Sequence, residues 1–127
     1  AAAPLLLGCD IEKLEERGES LVRDYFTPGE AAYCLGASGE TGILRANLVW
    51  SAKESVLKAL REGLRRDTRS VEVVAGPEAD GGCRGWKRWT GSCLESGRRF
   101  HGWWRAREGY VLTLASDRET FPEEEAA

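Results

Sequence analysis

Three carboxylates in two segments of this sequence have the types and the spacing that could bind a hard metal ion. Asp10 and Glu12 lie two residues apart in a predicted strand, which sends both side chains to the same face. Glu54 lies in a predicted helix and joins them if that helix crosses this face. Three carboxylates without a histidine suit Mg²⁺ or Mn²⁺, although acids at a strand end can also simply be solvated. The spacing leaves both interpretations open.

Two lysines on the same predicted helix could balance the negative charge of such a site. Lys53 directly precedes Glu54, and Lys58 follows Glu54 by four residues, the favourable order for a helical ion pair. A surface ion pair is the simpler interpretation, and it would contribute only about 0.2–0.5 kcal/mol. Beside a metal ion, the same lysines would meet the phosphate charge of a bound substrate.

The helix that carries these groups is predicted over residues 43–62. Its polar stripe contains Trp50, Glu54 and Lys58, each one turn from the next. Its apolar side, predicted to pack on a sheet, contains Leu44, Leu48, Val49, Ala52, Val56, Ala59 and Leu60. The helix is therefore predicted to pack on the core with its apolar side and to present its charged side chains to a functional site with the other.

The remaining elements predict an α+β fold, a mostly antiparallel sheet with the long helix packed across one face. Strands are expected at residues 4–12, 70–75, 85–93, 98–107 and 109–116. The last three are joined by short turns, which predicts a meander. Two shorter helices are expected, one within residues 14–26 and one over residues 28–35. Thr27 and Glu30 form a capping sequence for the second.

Length and composition predict a single lobe over residues 1–118 and an acidic tail over residues 119–127, which is expected to be disordered. The net charge of −3 argues against a surface built for nucleic acid or anionic lipid. No apolar run approaches the roughly 20 residues of a membrane span, so we expect a soluble, cytoplasmic chain. The sequence contains no methionine, and we expect it to be a piece of a longer polypeptide or a processed form.

The four cysteines and single histidine form no zinc motif. Cys83 and Cys93 flank a predicted hairpin and could form a disulfide in an oxidising compartment, although idle thiols are the interpretation that we favour.

Two segments resemble the paired signature of the 4′-phosphopantetheinyl transferases, G-x-D-x-E and W-x-x-K-E-S/A-x-x-K. They are residues 8–12 and residues 50–58, about forty residues apart. Residues 26–30 are similar to the F-(S/T)-x-x-E segment of the family, and residues 109–112 to its closing hairpin. The resemblance covers residues 5–116.

The resemblance implies Mg²⁺-dependent transfer of the 4′-phosphopantetheine arm of coenzyme A to a serine of an acyl or peptidyl carrier protein, as in fatty acid, polyketide or nonribosomal peptide biosynthesis. It implies that Asp10, Glu12 and Glu54 bind the metal ion. Lys53 and Lys58 would contact the coenzyme A phosphates. Glu54 and Lys58 would be catalytic, with Lys58 stabilising phosphate charge. The serine proton would go to Glu54 itself, or to a carboxylate acting through a metal-bound water.

One part of the family pattern is missing. Family members hold the adenine and the 3′-phosphate with an S-x-S-H segment and basic residues, whereas His101 lacks flanking serines. In two-lobed members, the kind that activates surfactin synthetase, these residues belong to the first lobe, and this chain resembles the second lobe alone. The single-lobed trimeric class also carries the histidine segment. The resemblance therefore implies that a first lobe or other subunits complete the site.

Two other functions fit parts of the sequence. Aromatic and basic residues alternate within residues 86–89 and 98–107, which is typical of a stacking platform for single-stranded nucleic acid. Alternation also buries every second ring, and the exposed tryptophans fit better as a surface that another lobe or subunit covers. A non-catalytic carrier-binding domain is the third interpretation, but the presence of all three acids and both lysines argues against it.

Overall fold

The computed structural model describes residues 5–61, 67–76 and 85–119, and it has the predicted α+β fold. Five strands form one antiparallel sheet in the order β1-β5-β4-β3-β2. They are β1 (Leu7–Lys13), β2 (Val71–Ala75), β3 (Lys87–Cys93), β4 (Arg99–Arg107) and β5 (Tyr110–Ser116). The predicted meander of β3, β4 and β5 is confirmed. Strand β1 pairs with the edge of β5 that faces away from β4.

The hairpin between β4 and β5 has the shortest connection, the two residues Glu108 and Gly109. Both adopt the left-handed region, with φ of 54° and 82°. This combination is typical of the type I′ turn, whose twist matches that of the flanking strands.

Three helices lie in the part of the chain that the structure describes: α1 (Gly18–Tyr25), α2 (Pro28–Leu35) and α3 (Gly39–Leu60). Helix α2 has the predicted bounds. Its capping box is complete, because Thr27 N–H donates to the Glu30 carboxylate and Glu30 N–H donates to the Thr27 hydroxyl. None of these helices is long and apolar enough to cross a membrane.

Helix α3 begins earlier than the predicted residue 43. Ser38 is its extended N-cap, and Glu40 in the first turn complements the positive end of the helix dipole. The helix ends at Leu60. Its C-cap, Arg61, adopts the left-handed region at a φ of 59°, and the Arg61 N–H donates to the Lys58 carbonyl at 3.0 Å. The predicted last residue, 62, lies outside the described ranges.

The core lies between α3 and the sheet, as the apolar side of the helix predicts. Helix residues Leu48, Val49, Ala52, Val56 and Ala59 are all buried. They pack with sheet residues that include Val71, Val73, Trp89, Phe100, Trp104, Val111 and Ala115.

The tryptophans in and next to β3 and β4 are all buried, whereas the alternation predicts burial of only every second ring. They are Trp86, Trp89, Trp103 and Trp104. The Trp89 ring lies against Gly102, where an added Cβ would be 2.0 Å from the indole. Arginines cover two of the other rings, Arg88 over Trp103 at 4.8 Å and Arg105 over Trp86 at 5.4 Å. These four rings therefore offer little face on which a nucleic-acid base could stack.

Two sequence predictions concern residues outside the described ranges. They are the state of the Cys83 and Cys93 pair, since Cys83 lies at 77–84, and the disorder of the acidic tail at residues 120–127.

Candidate functional site

Strand β1 and helix α3 approach each other closely at Gly8. A Cβ at this position would lie 2.0 Å from the Ser55 carbonyl oxygen and 2.6 Å from the Ala59 nitrogen. Only a glycine lets the two backbones come this close. The first residue of the G-x-D-x-E segment therefore brings the strand with Asp10 and Glu12 against the helix with Glu54.

A buried group of hydroxyls fixes the same stretch of α3 to β5. Ser51 Oγ lies 2.9 Å from Thr113 Oγ1, and Ser55 Oγ makes a short hydrogen bond to the same atom. Thr113 Oγ1 also contacts the Ser51 carbonyl at 3.1 Å. All three side chains are fully buried, so these bonds hold the helix at one position along the strand.

Asp10 and Lys58 form the closest charged pair of the site. Lys58 Nζ lies 2.7 Å from Asp10 Oδ1, and the lysine side chain is 51% exposed. Asp10 is only 8% exposed, and its second oxygen, Oδ2, is buried and has no hydrogen-bond partner within the described ranges. An unpaired buried carboxylate oxygen is unusual, and it calls for a cation or a donor.

The other two predicted acids are half-buried and interact with Asp10. Burial raises the pKa of Glu54 above its ordinary value, and the Asp10 charge raises it further. The pKa of Glu12 is raised for the same two reasons, against the opposing effects of Arg17, Lys58 and a hydrogen bond from Trp50. A hydrogen bond to Asp10 raises the pKa of Lys58, which keeps this lysine charged. Asp10, Glu12 and Glu54 thus form one electrostatic cluster, the carboxylate cluster.

The carboxylate cluster fits a divalent cation in its chemistry, although its side chains are not arranged around one. Within residues 5–61, 67–76 and 85–119, no three His, Cys, Asp or Glu side chains are placed to hold a metal ion. However, Asp10 Oδ2 has no hydrogen-bond partner among the described residues, and burial together with the repulsion from Asp10 raises the pKa values of Glu12 and Glu54. A cation would satisfy the oxygen and relieve the repulsion.

Lys53 does not join the carboxylate cluster. Its side chain is 0% exposed, and its Nζ lies 2.6 Å from Glu30 Oε1 and donates to the Val71 carbonyl. Burial lowers the pKa of Lys53, and the Glu30 charge acts in the opposite direction. The phosphate contact assigned to Lys53 stays a prediction, and the structure gives this ammonium a different partner.

Two contributors to the site were not predicted. Trp50 lowers the pKa of Glu12, and the common stripe of Trp50 and Glu54 could have suggested this role. The guanidinium of Arg17 lowers the Glu12 pKa and is held by buried Asn47, whose Oδ1 accepts from Arg17 Nε at 2.7 Å. No local sequence signal marks Arg17.

A cleft among the described residues lies away from the carboxylate cluster. It has a volume of about 330 Å³ and lies between the first turns of α1 and α3 and the end of α2. Arg17 is part of its wall, but none of the predicted site residues is.

Comparison with known proteins gives two matches. Residues 6–115 match the model of the 4′-phosphopantetheinyl transferase superfamily. Over 75 residues, the chain is 33% identical to the fatty acid synthase subunit alpha of Aspergillus oryzae. This match covers 54% of the chain but only 4% of the relative, so the chain corresponds to a small part of that protein.

Proposed function

The chain belongs to the 4′-phosphopantetheinyl transferase superfamily, and we propose that it transfers the 4′-phosphopantetheine arm of coenzyme A to a serine of an acyl or peptidyl carrier protein. The observation that carries this proposal is the carboxylate cluster, with the unpaired Asp10 Oδ2 and with Lys58 beside it. The similarity to a fatty acid synthase subunit favours a carrier of fatty acid biosynthesis.

Asp10, Glu12 and Glu54 would hold Mg²⁺, with Mn²⁺ as a substitute. When bound, the ion would act as a Lewis acid on the pyrophosphate of coenzyme A and neutralise part of its charge. Carboxylates and phosphates repel each other, so the acids can approach coenzyme A only together with such a cation.

The transfer makes one P–O bond and breaks another. The carrier serine Oγ attacks the phosphorus that bears pantetheine, and the bond from this phosphorus to the bridging oxygen breaks. Adenosine 3′,5′-bisphosphate leaves with the bonding electrons. The serine proton goes to a carboxylate, and Glu54 of the carboxylate cluster is the candidate for this role. Lys58, exposed and charged, stabilises the charge that develops on the phosphates.

This chain would supply the metal-binding half of a larger site. Its sequence has no match to the S-x-S-H segment, and His101 lies in β4, separated from β1 by the whole of β5. The contacts to the adenine and the 3′-phosphate would therefore come from a first lobe or from other subunits.

Mass spectrometry of an apo carrier protein tests the proposal. The carrier is incubated for hours with this chain, coenzyme A and Mg²⁺, and it should slowly gain the mass of one phosphopantetheine arm, since the chain supplies only half of the site. Glu54→Gln should lower the rate by at least about 10²-fold, since it weakens the metal site and removes the base. Glu40→Gln removes the same charge from the first turn of α3 and should have no effect. A mass gain that survives Glu54→Gln would refute the assignment of Glu54.

A further inference from the structure

Lys53 and Glu30 form a buried ion pair that joins three elements of the fold. The two side chains are 0% and 1% exposed, and their charged atoms lie 2.6 Å apart. Lys53 belongs to α3 and Glu30 to α2. Strand β2 contributes the Val71 carbonyl, which accepts from Lys53, and the Val73 N–H, which donates to Glu30 Oε2 at 2.6 Å.

The carboxylate of Glu30 makes three polar contacts inside the protein. Besides Lys53 and Val73 N–H, it accepts the Thr27 N–H of the capping box at 2.8 Å. Turning Lys53 toward a phosphate would leave this buried charge without its counter-ion. Breaking a buried pair in this way costs about 3–5 kcal/mol, more than an additional solvent-exposed phosphate contact would return. Lys53 therefore stays with Glu30 during binding.

The ion pair fixes the rotation of α3 from the side opposite to β1. Gly8 and the hydroxyls around Thr113 hold the helix against β1 and β5, and Lys53 holds it against β2. The next residue along the helix is Glu54. A rotation of about 15° would move a carboxylate about 6 Å from the helix axis by about 1.5 Å. Displacements of about 1 Å are enough to impair a catalytic group by about 10²-fold.

We propose that Lys53 and Glu30 are positioning residues, which orient Glu54 toward the metal ion and make no contact with coenzyme A. This inference rests on the proposed function. Lys53, the lysine of the W-x-x-K-E segment, then has a role inside the core. Lys58 is the lysine of α3 that contacts the phosphates.

Binding measurements on three variants test the inference, with Mg²⁺ and coenzyme A titrated separately by calorimetry at a temperature where each variant is folded. Lys53→Met and Glu30→Gln should each weaken Mg²⁺ binding by about tenfold, the effect expected from losing the support of a metal ligand. The Kd for coenzyme A at saturating Mg²⁺ should stay within about twofold. Lys58→Met, the matched control on the same helix, should weaken coenzyme A binding and should not weaken Mg²⁺ binding.

The outcomes separate this inference from the proposed function. If the wild-type chain binds neither Mg²⁺ nor coenzyme A, the proposed function fails and the inference fails with it. If the wild type binds both, and Lys53→Met loses coenzyme A affinity while Glu30→Gln does not, Lys53 is a phosphate contact and only the inference is wrong. Unchanged Mg²⁺ binding in both variants would also overturn it, since a purely stabilising role predicts that result.

Chemical labelling of the wild-type chain gives a second test that needs no variant to fold. Under reductive methylation, Lys53 should react far more slowly than Lys58, and coenzyme A with Mg²⁺ should protect Lys58 while the labelling of Lys53 does not change. Labelling of Lys53 at the rate of Lys58, or its protection by coenzyme A, would contradict the inference.

Discussion

Lys58 forms an ion pair with Asp10, and a bound metal ion would compete with this lysine for the same carboxylate. Lys58→Met should therefore strengthen the binding of Mg²⁺ to the chain without coenzyme A, by about two- to fivefold, the value of a partly exposed ion pair. The same variant should transfer phosphopantetheine at least about 10²-fold more slowly, since it lacks the charge that stabilises the phosphates. Calorimetric titration and the carrier assay measure the two effects.

Lys87→Met is the control for this prediction. It removes an equal charge from β3, which β4 and β5 separate from β1, and it should leave the affinity for Mg²⁺ unchanged. Equal effects of both variants would mean that net charge, and not the contact with Asp10, sets the affinity.

Glu54 should make the metal-free protein less stable as the pH rises. Its pKa is raised in the folded state, so the folded protein binds this proton more tightly than the unfolded chain does. The free energy of unfolding then falls as the pH rises from the ordinary glutamate pKa to the raised value. Glu54→Gln removes this loss, and its Tm should exceed that of the wild type by roughly 1–3 °C above this window and by nothing below it.

Saturating Mg²⁺ should reverse the order of the two Tm values, because only the wild type retains all three ligands. Thermal denaturation across the pH range, with and without Mg²⁺, measures both effects. A difference between the two proteins that does not depend on pH would show that burial and the Asp10 charge do not act on Glu54 as described.

At the scale of elements, the contact between β1 and α3 decides whether the carboxylate cluster exists. Gly8→Ala would place a methyl group against the backbone of α3, which cannot move aside as a side chain could. We expect a loss of about 3 kcal/mol or more in the free energy of unfolding, measured with urea, together with the loss of Mg²⁺ binding.

Gly29→Ala is the matched control for Gly8→Ala. An added Cβ there would meet only the flexible end of Glu72, 3.3 Å away, and alanine favours the helix. Its free energy of unfolding should change by less than about 1 kcal/mol. Similar losses in both variants would argue against a special role of the Gly8 contact.

Sequence patterns within a few residues predicted the helices and strands well. They did not predict contacts between residues that are far apart in the sequence. The capping box of Thr27 and Glu30 acts within one turn, so the bounds of α2 could be read from the sequence. The ion pair of Glu30 and Lys53 joins two helices, and nothing near Lys53 in the sequence reveals it. For this reason Lys53 was expected on the chemical side of α3 but lies in the core.

The candidate site was likewise predictable only where a local sequence signature marks its residues. The paired signature predicts the three acids as metal ligands, and this assignment stays a prediction; in the fold, the charge of Asp10 acts on both Glu12 and Glu54. The support from Trp50 and Arg17 depends on how β1, the start of α1 and α3 pack together. Such packing leaves no periodic pattern in the sequence.

At the scale of the whole molecule, the proposed half-site predicts weak binding of coenzyme A. The 127-residue chain alone should bind coenzyme A only weakly and show little transfer, since its sequence has no match to the segment that holds the adenine and the 3′-phosphate. Calorimetry and the carrier assay test this directly. Robust transfer by the purified chain would refute the proposal that another lobe or subunit completes the site.

The pairing of β1 with β5 also determines when the site can form during synthesis. Leu7 pairs with Ser116, so this ladder joins residues about a hundred positions apart, whereas β3, β4 and β5 pair with near neighbours. Such distant contacts close late. On the ribosome, Asp10 and Glu12 are made before β5, and they gain their place in the sheet only after β5 has been made. A nascent chain that stops before β5 should therefore be unable to bind metal.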